Sequence, residues 1–273
     1  MRVLAEYFGT TAGIDIADRY YINDSAALFK TYGNVKQKTA VANALTLSEA
    51  AKDNVYIAAI TDVTFAELSN YFVAFARYIR NPRSAVIIEA IGENEQPVTF
   101  APKENLWFFL NLRSGETLKN IPAYISELAS VVRIEYTGTV PAVLSAPMIP
   151  FSYYQFDYML DKIKDSYGIP EESWKRIDTL EGFINNNAPF AIGNRTAIAI
   201  ERFFAVYSAC GGEATEALDK ALSARIVPSA IVALDGLDNI DDKNLSEKLE
   251  MIFGEENVES CRTMIRTSGS SVI

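Results

Sequence analysis

The sequence predicts an α/β fold, with a parallel-type, three-layer sheet core in its first half and an all-helical second half. Three observations predict it. Val55-Tyr56-Ile57-Ala58-Ala59-Ile60 is an apolar run with no polar face, as a strand buried on both sides of a parallel sheet requires. Amphipathic stretches of helical period separate it from further apolar runs, which is the strand, crossover, strand order of doubly wound sheets. From about Pro147 the pattern becomes helical throughout.

After the first run, Phe65, Leu68, Phe72, Phe75, Ala76 and Ile79 recur at helical spacing and mark one buried stripe, which Asn81-Pro82 ends. Ser84 to Ala90 reads as a second strand and Leu106 to Leu110 as a third, after the turn-rich segment Gly92 to Asn105. Ile121, Ile125 and Leu128 mark a short helix, and Val131 to Tyr136 reads as a fourth strand. In the second half, Phe156, Leu160, Ile163 and Tyr167 define a helix that Gly168-Ile169-Pro170 breaks. Pro170-Glu171-Glu172 opens the next with acids in its first turn, where the helix dipole favours them. A helix from near Asn194 carries Ile198, Phe203 or Phe204, and Tyr207, and stops at Gly211-Gly212. Ala214, Ala217, Leu218, Ala221 and Leu222 form another. Asp235 to Asp242 is a polar loop, Leu245, Leu249 and Ile252 mark a further helix, and Ser268 to Ser271 reads as a frayed tail. The expected division is residues 1–148 for the α/β core and 149–273 for the helical domain and tail.

Composition limits the chemistry. Apolar residues make up 49% and charged residues 22% of the 273, a globular balance in a chain long enough to bury roughly three-quarters of its unfolded surface. A formal charge of −10 argues against general affinity for nucleic acid, which rests on Lys and Arg neutralising phosphates. No run of apolar residues is long enough for a membrane span, and Met1 to Glu6 lacks a signal-peptide core, so no membrane association and a cytoplasmic location are expected. Cys210 and Cys261 are too few and too far apart for a zinc ribbon and are expected to be reduced thiols. There is no histidine, which removes Ser-His-Asp and Cys-His nucleophiles, His-ligated metals and imidazole bases together.

Three segments carry a family likeness. Val55 to Val63 (VYIAAITDV) resembles the Walker B strand of AAA-type ATPases, an apolar strand ending in acids that handle magnesium and the attacking water. Leu106 to Leu112 (LWFFLNL) resembles the sensor 1 strand, whose polar residue points to the γ-phosphate. Ala191-Ile192-Gly193-Asn194-Arg195-Thr196 resembles the opening of the lid helix that bears the sensor 2 arginine. The likeness is strongest to the McrB-like and dynein-related branch, whose "ilPkl" segment is matched by Arg225-Ile226-Val227-Pro228-Ser229-Ala230. The resemblance implies a partial P-loop NTPase-like core with a helical lid and ATP and magnesium as cofactors. It gives Asp62 as catalytic acid and magnesium ligand, Asn111 as sensor 1 and Arg195 as sensor 2. It implies a ring of identical subunits, or a partner ATPase subunit, as the assembly.

The sequence departs from that family in what turnover needs. No G-x-x-x-x-G-K-[ST] occurs, so no loop of backbone N–H groups and Lys is present to cradle phosphates. Met1 to Gly9 resembles the end of the helix that follows that loop, so the chain is expected to begin downstream of it. The Walker B acidic pair falls on Asp62 and Val63, which leaves one carboxylate where two groups normally act. The arginine-finger stretch, Ala123 to Val132, contains no Arg, and Arg133 sits in the expected strand. ATP hydrolysis by this chain alone is therefore not expected, and a pseudo-ATPase that serves as a structural or adaptor subunit is the alternative. Each site residue also has a plain reading: Asp62 or Thr64 as a helix N-cap, Asn111 as a turn residue, Arg195 as a surface residue. The ATPase-derived reading requires Asp62 and Asn111 at the C-terminal ends of neighbouring strands, with Arg195 facing the same crevice.

Overall fold

A computed structural model describes residues 13–15, 29–32, 35–38, 55–65, 86–88, 98–100, 105–113, 115–132, 152–235, 237 and 242–269. The chain divides into two compact units, Met1–Ser114 with Gly138–Asp157 and Gly115–Thr137 with Tyr158–Ile273.

The strands described in the first unit are β1 (Gly13–Asp15), β2 (Phe29–Tyr32), β3 (Val35–Lys38), β4 (Tyr56–Val63), β5 (Val86–Ile88), β6 (Val98–Phe100) and β7 (Leu106–Leu112). β4 pairs in parallel with β1 on one side and with β7 on the other, with Ala59 opposite both Asp15 and Phe109. The apolar run at Val55 does what its composition requires: Val55 is fully buried, and Trp107, Phe109, Tyr153 and Phe156 pack on it. The Trp107 and Phe156 rings meet at 5.3 Å and 57°, a tilted pairing that aromatic quadrupoles favour.

The second unit contains a 3-10 turn (Leu118–Asn120), α1 (Ala123–Leu128) and the greater part of α2 (Tyr153–Ser166), which begins in the first unit. It continues with α3 (Glu171–Asn185), α4 (Asn194–Ala209), α5 (Ala214–Arg225), α6 (Val227–Leu234) and α7 (Asp242–Phe253). A 3-10 turn (Glu255–Asn257) and α8 (Glu259–Arg266) complete it. α3 starts directly after Pro170 with Glu171 and Glu172 in its first turn, and buries Ile177, Leu180 and Ile184. α4 stops where Gly211 takes φ 89°, a left-handed conformation that costs glycine nothing. α5 is buried almost all round, from Ala217 and Leu218 to Ala224 and Arg225, and is the central helix of the unit. Leu222, Ile226, Ile231, Leu245 and Leu249 join Ile177, Leu180, Ile184 and Ile200 in one core.

Several expectations need correction. The described residues are mostly helical, and a three-layer, parallel-type sheet core is not what they show. Among the described residues, three strands associate in parallel. Of the strand expected over Ser84 to Ala90, the described part is β5, which pairs antiparallel with β6 instead of joining a parallel sheet. The strand expected from Val131 fails at its start: Val131 and Val132 are not in a strand, and the Val131 N–H donates to the Ala224 carbonyl at 2.9 Å in the helical unit. Arg133 to Tyr136 lie outside the described residues, as do Leu68 to Ile79 and Met1 to Gly9. The reason is a limit of periodicity: a short apolar run satisfies a buried strand and a segment laid on a helical core equally well. Residues 115–132 accordingly pack with the helices of the second unit. In α4 the buried aromatic is Phe204, whereas Ile198 and Phe203 are exposed. Ser268 is fully buried, and its carbonyl accepts the Leu118 N–H at 3.1 Å, so it is no frayed end.

Candidate functional site

Asp62 and Asn111 are the next-to-last residues of β4 and β7. These strands run in parallel from Tyr56 opposite Leu106, shift register between Ile60 and Val63, and pair again at Val63 opposite Leu112. Asp62 and Asn111 therefore each stand one residue before a matched pair, at the carboxyl edge of adjacent parallel strands. That edge is where open α/β sheets place ligand groups, because successive crossovers leave a crevice there. Asn111 is exposed. β1 ends at Asp15 on the other side of β4, three residues short of the level of Asp62. Helical structure begins at Phe65 while Asp62 is still within β4, so the position preceding the helix falls to Thr64 and not to Asp62.

Arg195 lies in the second unit, in the first turn of α4, and is exposed. The turn that presents it is held from below: the Ile192 N–H donates to the Glu181 carboxylate of α3 at 2.8 Å, and the Ala197 N–H donates to the Gly193 carbonyl at 3.1 Å. Gly193 occupies the N-cap in an extended conformation without a capping side chain, which leaves the first N–H groups of α4 without a local side-chain acceptor. Asp62 and Asn111 belong to the first unit and Arg195 to the second.

Among the described residues no group of three or more Cys, Asp or Glu side chains gathers to hold a metal ion. A cleft between α7 and α8 is lined by Lys243, Ser246, Glu259, Arg262, Ile265 and Arg266. Its central cation is already compensated, since Arg262 reaches Glu250 at 3.1 Å, Glu255 at 3.3 Å and Glu259 at 3.9 Å. It contains a single carboxylate, Glu259, and so offers no convergent pair of acids.

Two buried charges on α5 escaped the sequence reading. Asp219 is 5% exposed, and its carboxylate accepts the Ser260 N–H at 2.6 Å and the Cys261 N–H at 2.9 Å, so it caps the first turn of α8 from another helix. Val258, at the N-cap of α8 itself, supplies no side-chain acceptor. Burial, with the neighbouring Asp219 carboxylate second, holds the Cys261 thiol well above its ordinary range and makes it inert. Arg225 is buried, and its Nη2 donates to the Glu127 carbonyl near the end of α1 at 3.2 Å. Its desolvation pushes the guanidinium pKa down. Asp219 and Arg225 lie among Ala217, Leu218, Ala221, Leu222 and Ala224, and no local pattern distinguishes them from Glu216 and Lys220, the charges of the same helix that are not buried.

No protein-family model, curated protein or solved structure matches the chain.

Proposed function

We propose that the chain is a catalytically silent, ATPase-derived module of the AAA type, which keeps nucleotide-facing positions but depends on another subunit for turnover. The observation that supports this reading is the placement of Asp62 and Asn111 at the carboxyl ends of adjacent parallel strands. It joins the sequence likeness of the two strands and of the Arg195 turn. In this reading Asp62 is the remaining magnesium-site acid, Asn111 the sensor that orients the terminal phosphate, and Arg195 the lid cation. Silence follows from chemistry: phosphoryl transfer relies on a cradle of amides and a Lys around the phosphates, and no G-x-x-x-x-G-K-[ST] occurs in the sequence. The residue after Asp62 is Val63, so a second carboxylate to orient water is missing as well.

Isothermal calorimetry with ATP and magnesium, paired with a phosphate-release assay, tests the proposal. Binding weaker than micromolar, with turnover at background, is expected. Micromolar affinity, or turnover that Asp62→Asn abolishes, would refute silence. The loss of both the loop and the second acid also favours a purely structural adaptor as the second reading. The adaptor requires that Asp62→Asn and Arg195→Ala leave nucleotide binding and assembly unchanged, whereas the ATPase-derived site requires them to weaken whatever binding remains.

A further inference from the structure

We propose that residues 115–132 form a clasp, which seats on the helical unit but opens as a piece of its own without unfolding the helices beneath it. In sequence this segment interrupts the first unit, which ends at Ser114 and resumes at Gly138.

Its attachment is specific. The Leu118 N–H donates to the Ser268 carbonyl at 3.1 Å, the Val131 N–H to the Ala224 carbonyl at 2.9 Å, and Arg225 Nη2 to the Glu127 carbonyl at 3.2 Å. Ile121 and Ile125 are buried, and Leu118 and Val131 pack on the helical core. An edge ion pair from Lys119 to Asp235, at 4.0 Å with both side chains well exposed, adds little.

Three features set its stability below that of the helices. α1 spans only Ala123–Leu128, far short of what a helix needs to persist unaided, and its N-cap, Pro122, provides no side-chain acceptor. The seated state also buries the Arg225 guanidinium with its Nε lacking any hydrogen-bond partner, and the single carbonyl bond does not offset that desolvation. Opening the clasp rehydrates that charge, so one element on α5 both holds the clasp and favours its release. The helices below are anchored by fully buried Ile177, Leu180, Ile184, Ile200 and Leu222. Elements with fewer buried apolar groups open at lower free energy than the core.

Hydrogen exchange on the full chain, read by mass spectrometry, tests the clasp with two variants that leave α3 to α5 untouched. Ile125→Ala removes its apolar plug. Leu118→Pro removes one tether, and Thr117 already has φ −121° and ψ 155°, the extended conformation a residue before proline adopts. Exchange across residues 118–131 is expected to accelerate roughly thirtyfold in Ile125→Ala and about tenfold in Leu118→Pro, while amides in α3 to α5 keep their original rates. Acceleration of α3 to α5 by the same factor, including through loss of the folded state, would show one cooperative core and overturn the proposal. Unchanged exchange across 118–131 in both variants would overturn it equally.

Discussion

Replacing Asp219 by Ala removes a carboxylate that is 5% exposed and caps α8 through space rather than through its own chain. The Cys261 N–H is then left without an acceptor in a buried position, at a cost of about 1–3 kcal/mol. The Ser260 N–H is only partly buried and recovers water, so its loss is nearer 0.5–1 kcal/mol. The favourable charge at the helix N-terminus adds about 0.5–1 kcal/mol. These combine to about 3 kcal/mol, equivalent to roughly 6–12 °C in the melting temperature of a domain this size. Urea unfolding followed through Trp174, which packs on the helical core, measures it, with Trp107→Phe as background so that one unit alone reports. Thiol labelling gives an independent readout. Cys210 is exposed and reacts in the parent protein, whereas Cys261 is buried and becomes reactive only when α8 loosens. Asp219→Asn keeps one acceptor oxygen but loses the charge and turns a donor toward the helix end, so about half the loss is expected. A cost below about 0.5 kcal/mol for Asp219→Ala, or a Cys261 as unreactive as before, would refute the account of Asp219 as the cap of α8.

Gly212→Ala places a methyl group against the ring of Tyr207, which must then leave its stack on Phe203 at 5.9 Å. A loss of about 1–3 kcal/mol is expected in thermal unfolding, and in a Tyr207→Ala background the same substitution should cost almost nothing. Tyr207 also donates to Glu216, which raises the phenol pKa above 10 and, with Lys220, lowers the Glu216 pKa. Because the folded phenol pKa is raised, its contribution holds below pH 10 and fades as pH rises through the folded value. The Glu216 contribution holds above its unfolded pKa of 4.5 and fades as pH falls through the lower, folded one. Glu216→Gln should bring one tyrosine back toward 10 in an ultraviolet tyrosinate titration, and an unchanged titration would refute the hydrogen bond.

Helical periodicity was legible where one face alone is buried. Ile177, Leu180 and Ile184 follow directly from a helix that opens after Pro170, and Gly211 ends α4 because a left-handed residue is required there. The apolar runs ending in Asp62 and Asn111 also mark two strands, β4 and β7, which lie side by side in parallel. What sequence could not decide was the partner of each surface. Val131 lies on α5 instead of starting a strand, Val86–Ile88 pairs antiparallel with β6, and Phe204 rather than Phe203 turns inward. Local pattern specifies that a residue is buried but leaves open what buries it, and the two outcomes differ only in contacts far apart along the chain. The cap of α8 by Asp219 spans 42 residues and the bond from Arg225 to Glu127 spans 98, so no local window contains both partners. The sequence by itself marked the start of α3 and both ends of α4, and it contains neither histidine nor a phosphate-loop motif. Tertiary structure alone decided where the two buried charges of α5 find their partners, because desolvated ions are satisfied by whichever backbone groups the packing brings to them.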